Sequence, residues 1–288
     1  MAIRVSEVAG PRRRFSFALA RVFSTGTHWP RTMMIAALAL VVVYPVTMRL
    51  EGVADASTLS GMLYGTVATL LMIGAALYGV RRRTMRLGLG RARTWQQFHL
   101  YGGTVFLLAT LLHAGFSWPK GSLSAWLLGL SLWVFVSGLI GLGIQQWVQR
   151  LLRPLKTEVL FERIPDLVVH LREQSQALAE ASSVMVRDFY RTDLAAVFDA
   201  PRNDLRFYIR PASGMRPLSR QFALLRTLAT VEDQERIAAL QSLYEAKLDL
   251  DTHYTLQRAL RTWLYIHVPP SIALLALVTI HIVVVFSY

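Results

Sequence analysis

Arg261-Thr262-Trp263-Leu264-Tyr265-Ile266-His267-Val268-Pro269-Pro270-Ser271-Ile272-Ala273-Leu274-Leu275-Ala276-Leu277-Val278-Thr279-Ile280-His281, followed by an apolar run to Tyr288, is the stretch that decides the fold. Its pattern is Arg-Thr-Trp, three residues, His267, thirteen residues, His281. The same pattern occurs earlier as Arg93-Thr94-Trp95, three residues, His99, thirteen residues, His113. Each histidine pair lies in an apolar run of bilayer length, where an ionisable side chain is costly and marks a functional site. Fourteen residues at 1.5 Å each set the two histidines of a copy roughly 21 Å apart along a helix. At the 3.5 residues per turn of a left-handed supercoil they complete four turns, so both side chains leave the same face. Two such helices, face to face, offer two histidine–histidine pairs at two depths.

Composition agrees with a membrane setting. The 288 residues are 53% hydrophobic and only 17% charged, with a mean hydropathy of +0.38, values outside the range of soluble domains. There is no cysteine. Disulfides, thiolate-held iron–sulfur clusters, thioether-attached haem and cysteine zinc sites are thereby excluded. The net charge of +13 suggests nucleic acid at first, but its distribution argues against that partner. Between Arg150 and Arg258 stand 16 basic and 15 acidic residues, leaving 15 basic against 3 acidic elsewhere. The excess therefore flanks the apolar runs, as expected of cytoplasmic loops.

Taken in order, residues 1–30 form a basic cytoplasmic segment (Arg12, Arg13, Arg14, Arg21) with apolar residues between. It suits either an amphipathic helix on an anionic surface or an orientation-setting tail. His28 and Trp29 mark the membrane edge. Residues 31–150 carry four spans, at about 31–49, 59–80, 94–116 and 123–147. Pro45 is expected to kink the first. Gly61, Gly65, Gly74 and Gly79 suit close helix contact in the second. Ala54-Asp55-Ala56 has the look of a signal-peptide cleavage site, but the apolar region before it is too long for one. Residues 151–258 read as a soluble cytoplasmic helical insertion, with amphipathic helices at 165–181 and 231–248, the second capped through Thr230 and Asp233. Pro201, Asn203, Pro211, Gly214 and Pro217 mark irregular connections between them, and His170 and His253 read as solvated. Residues 259–288 form the fifth span. Arginines after spans two and four face one side, Glu51, Asp55 and Lys120 the other. The N-terminus is thus expected in the cytoplasm and the C-terminus in the periplasm of a bacterial inner membrane.

The expected fold class is an all-α integral membrane protein, five transmembrane helices in a haem-binding bundle with a helical insertion before the last. Spans three and five both run outward, so His99 pairs with His267 near the cytoplasmic face and His113 with His281 near the outer face. Each pair suits the two axial positions of a haem iron, and the expected cofactors are two b-type haems. Gly102 and Gly103 after His99, and Gly115 after His113, remove side-chain bulk where a flat macrocycle would press on a helix. Arg93 and Arg261 sit six residues before their histidines, placed to pair with haem propionates, although flanking charge also explains them. Pro269 and Pro270 must perturb the helix beside His267, which would aim its imidazole.

With four such histidines on facing helices, the sequence resembles the di-haem b-type membrane cytochromes. The spacing is most similar to the ferric reductase and NADPH oxidase membrane domain, and also to the cytochrome b subunits of quinol-linked respiratory complexes. Ferric reductases usually continue into flavin and nicotinamide domains. This sequence ends shortly after His281 and holds neither a glycine-rich dinucleotide fingerprint nor a phosphate loop. The resemblance implies an electron-transfer subunit of a larger oxidoreductase rather than a self-contained NADPH-driven reductase. Its partners would be other redox subunits, one docking on residues 151–258 unless that insertion only caps the bundle. Quinone is the candidate small-molecule partner, for which no residue set is nominated. Two readings stay open beside it, a quinone-reactive cytochrome acting alone and a non-redox anchor or transporter using the histidines as a proton relay.

Overall fold

The computed structural model describes residues 28–51, 58–83, 91–155, 159–209 and 218–287. The basic segment before His28, Ala54-Asp55-Ala56, Arg86 and the turn residues Pro211, Gly214 and Pro217 lie outside that range. All regular structure among the described residues is helical. In chain order these are α1 (Trp29–Glu51), α2 (Leu59–Arg83), α3 (Ala92–His113), α4 (Ser122–Leu152), α5 (Ile164–Glu180), α6 (Val184–Phe189), α7 (Ala195–Phe198), α8 (Ser219–Leu228) and α9 (Val231–Ser287). Short 3₁₀ turns at Phe161–Arg163 and Leu205–Tyr208 and a π segment at Tyr190–Leu194 complete the list of elements.

Among the described residues, four helices, α1, α2, α4 and α9, are long and apolar enough to cross a membrane. α3, expected as the third span, is 22 residues long but too polar to join them. Arg93, Gln96, Gln97 and His99 crowd its first two turns. Its apolar face is instead sheltered by protein, with Val105, Phe106, Ala109 and Leu112 buried. Helices α1, α2, α4 and α9 do the reverse. Met34, Ile35, Leu38, Leu70, Trp126, Ile140 and Val283 to Val285 are among many large apolar side chains left exposed. Such a surface would aggregate in water and is what hydrocarbon requires.

The expected break between the insertion and the last span is absent. α9 runs unbroken for 57 residues and carries Pro269 and Pro270 inside it. Nothing between Leu248 and Leu260 stops a helix, so the change at that point is one of composition, not of backbone. The two prolines remove the N–H groups that would bond the carbonyls four residues back, Tyr265 and Ile266. The Trp133 indole of α4 donates to the Ile266 carbonyl at 3.3 Å and so replaces one of the lost bonds.

The chain divides into two compact units. One comprises residues 143–262. Its core is built on the 3.6-residue stripe Ile164, Val168, Leu171, Ser175 and Ala179 of α5, against Tyr190, Leu194, Phe198, Phe222, Ile237, Leu240 and Tyr244. Each large apolar side chain so buried contributes about 1.5–3 kcal/mol. Thr230 caps α9 as expected, its hydroxyl accepting from the Asp233 N–H at 3.4 Å. His170 is solvated, beside Glu173. His253 is not, and the expectation for it is corrected. It is 4% exposed, because α9 is enclosed on every side at this level, where Leu250, Asp251, Thr252, Thr255 and Leu256 are buried too.

The other unit holds the described residues from 28 to 142 with 263–287. Ala68 and Met72 of α2, Phe106 and Ala109 of α3, Leu127 of α4 and Leu274 of α9 form its core. α3 ends at His113 because Gly115 takes φ 60°, the left-handed conformation that favours glycine, and the Phe116 N–H turns back to the Leu111 carbonyl at 2.9 Å. Gly115 thus has a helix-stopping role that accounts for it without any macrocycle.

Candidate functional site

Within this second unit the four histidines stand in two facing pairs. The His99 ring of α3 lies 6.4 Å, centroid to centroid, from that of His267 of α9, and His113 lies 6.4 Å from His281. The planes cross at 79° and 80°. These separations have a chemical meaning. Two metal–imidazole bonds of about 2 Å each, with the half-widths of two rings, add to about 6 Å. A pair of imidazoles stacked on each other would be closer, and a hydrogen-bonded pair would not repeat the same spacing at two depths without cause.

Three of the four rings are also held from behind. A backbone carbonyl can only accept, so the Ala75 carbonyl at 3.1 Å from His99 Nδ1 and the Gly61 carbonyl at 2.7 Å from His113 Nδ1 fix the proton on Nδ1 in both. For His267 the partner is Ser137, 2.9 Å away. The Ser137 hydroxyl donates to the Val134 carbonyl at 3.0 Å, so its oxygen accepts from His267 Nδ1. In three of the four histidines the lone pair is therefore on Nε2, the arrangement of a metal-ligating imidazole oriented by its other nitrogen.

The walls are cut to fit these rings. A Cβ added at Gly65 would lie 3.0 Å from the His113 ring, and one at Gly138 would lie 3.4 Å from His267 Cε1. Trp263 stacks on His267 at 5.3 Å and 22°, and its indole donates to the Ser137 carbonyl at 2.7 Å. Gly141 makes room for it, since a Cβ there would run into the indole. In the second copy the Trp-x-x-x-His part of the repeat thereby has a physical use, an aromatic one turn from the imidazole it braces. Tyr78 packs on His99 at 5.3 Å. The hydroxyl of Tyr64, buried one residue before Gly65, has no hydrogen-bond partner among the described residues.

The remaining expected residues are distributed as follows. Gly103 faces open space, and Gly102 is buried with the Phe98 ring of its own helix 3.7 Å from where a Cβ would lie. Arg93 is half-buried at the start of α3. Arg261 belongs to the first unit, where it pairs with Glu162 and lies over the Phe161 ring at 4.1 Å. Ser137, Trp263 as a brace, Gly138 and Gly141 were not singled out from sequence, whereas Gly65 was, as a place of close helix contact. The small-residue spacing Gly138-x-x-Gly141 was the available signal of close approach on α4.

Among the described residues, no three histidine, cysteine, aspartate or glutamate side chains gather as a metal-ion site. Two ligands on opposite sides of a gap suit a metal whose other positions are filled by a macrocycle rather than by protein. No protein-family model matches the chain, and neither a curated protein nor a solved structure matches it.

Proposed function

We propose that this chain is a membrane cytochrome b subunit that carries electrons across the bilayer between redox partners on its two faces. The observation that carries the reading is the doubled pair, two facing histidines at 6.4 Å twice over, each pair bridging α3 and α9. His99 and His267 would hold one b haem, and His113 and His281 the other. A haem with two axial imidazoles cycles between ferric and ferrous iron and passes single electrons, with no position left for oxygen or substrate.

The residues of the chain do the orienting. Ala75, Gly61 and Ser137 keep Nδ1 protonated and Nε2 available, Gly65 and Gly138 allow close approach, and Trp263 excludes water beside His267. In this reading α3 is a fifth span. Its polar first turns are tolerable because protein and cofactor rather than lipid would surround them. The N-terminus is cytoplasmic and the C-terminus periplasmic in a bacterial inner membrane, from the arginine distribution. Residues 151–258 are the docking place for a partner subunit, and quinol is a candidate electron donor.

The test is the reduced-minus-oxidised visible spectrum of the purified protein, with haem per chain from a pyridine haemochrome assay. Two non-covalent b haems per chain are expected. A colourless protein, expressed with haem in supply, would discard this reading and leave the histidines as a proton relay. Ser137 adds a finer expectation. Ser137→Ala removes the acceptor of His267 Nδ1, and losing such an orienting partner typically weakens metal holding about 10–100-fold. In a potentiometric titration one of the two haem potentials should move while the other stays, and Ser137→Thr, which keeps the hydroxyl, should restore it.

A further inference from the structure

We infer that Leu160, Leu205 and Ile209 of the 143–262 unit form a rim that inserts among lipid headgroups, where α4 and α9 meet the membrane surface. The inference rests on α4 and α9 crossing a membrane and is independent of any haem.

The level of the rim is set by two helices. On α4, Trp147 stands just before Arg150 and Arg153, at the end of the apolar run, the position of an interfacial tryptophan. The Tyr208 ring is stacked on it at 5.6 Å and 17°. On α9, Arg258 and Arg261 are the last charged residues before the apolar run. The segment around Leu160 is fastened at that height. Gln257 donates to the Val159 carbonyl at 2.8 Å, Phe161 stacks on Tyr254 at 5.2 Å, and Glu162 pairs with Arg261. The Leu205–Tyr208 turn is fastened farther back along α9, where the Asp204 N–H donates to the Thr255 hydroxyl at 3.2 Å. Thr255 and Arg261 are six residues apart, roughly 9 Å along the helix.

From these two separate segments, fastened to α9 within about two turns, Leu160, Leu205 and Ile209 project with 57%, 73% and 79% of their surface exposed. Single exposed leucines are ordinary, but a belt of them beside an interfacial tryptophan and a tyrosine is how a protein seats itself in a headgroup layer. The charge agrees, since Arg150, Arg153 and Arg258 are exposed at the same level. Anionic phospholipid is therefore the occupant, aliphatic side chains reaching the acyl boundary and guanidinium groups meeting phosphate.

The chain has no cysteine, so labels can be placed one at a time. Full-length Leu160→Cys, Leu205→Cys and Ile209→Cys would carry a small fluorophore in nanodiscs of phosphatidylcholine and phosphatidylglycerol, with and without lipid doxyl-labelled near the headgroup. Leu228→Cys on α8 is the exposed control and Val284→Cys on α9 the membrane reference. Quenching at 205 and 209 at least about twofold above that at 228 is expected, with 160 following. Quenching at 284 but none above the control at the rim positions would overturn the rim alone and leave those side chains to a protein partner. No quenching at 284 would overturn the membrane reading and the rim with it.

Discussion

On the proposed di-haem reading, His267→Ala should carry one b haem per chain instead of two, and His99→Ala should lose the same one. The facing geometry makes either histidine indispensable to its site, since a single axial imidazole leaves half the holding bonds and an apolar gap where the other ring stood. The double variant should lose no more haem than either single one, because the two act as a unit. His113→Ala and His281→Ala should remove the other haem and show the same non-additivity with each other. Haem per chain, with the spectrum of what remains, is the measurement. Retention of both haems in any single variant would sink the pairing, and loss of both from His267→Ala would show that the two sites do not form independently.

Lys247→Met should destabilise the 143–262 unit by about 3–5 kcal/mol, the cost of leaving one member of a buried ion pair uncompensated. The Lys247 ammonium is wholly buried and lies 2.7 Å from both oxygens of Asp251, four residues on along α9. Burial pulls the Lys247 pKa below its ordinary value and pushes the Asp251 carboxyl above the usual carboxylate range, and their mutual attraction opposes both shifts. Asp251 has a second duty, accepting from the Arg202 N–H at 2.9 Å. Lys247→Met with Asp251→Asn should therefore recover most of the loss, because asparagine is neutral and still accepts that bond, whereas Lys247→Met with Asp251→Leu should recover less by about 1–3 kcal/mol for the stranded N–H. Chemical unfolding followed by circular dichroism would rank the three. A single variant as stable as the parent would mean that Asp251 takes up a proton and sits neutral at little cost.

The doubled Arg-Thr-Trp…His…His pattern put forward the four histidines that the structure brings into two facing pairs, because its elements are local. Helical periodicity and apolar run length are properties of consecutive residues, and a fourteen-residue interval returns to within about 40° of the same helix face even in a straight helix. The burial of the α5 stripe and the cap at Thr230 were legible for the same reason. One expectation failed where neighbours mattered. His253 sits in a polar stretch, yet α9 is buried on every side there. Gly115, read as a relief of bulk, also takes a positive φ where α3 stops. α3 itself shows the limit of hydropathy, since a helix sheltered by protein does not need the composition of one that faces lipid.

What the sequence determined by itself is thus the class of the protein, the position of its apolar runs, and four histidines in two registers. The pairing of His99 with His267 and of His113 with His281 was expected from two parallel helices, but the separation of the pairs and what holds three of the rings from behind were decided by the tertiary structure. The acceptors of Nδ1 are a carbonyl of Ala75, a carbonyl of Gly61 and the hydroxyl of Ser137, groups that every helix or many helices carry. They become specific only when a second helix, close enough through Gly65 or Gly138, brings an imidazole within hydrogen-bond reach.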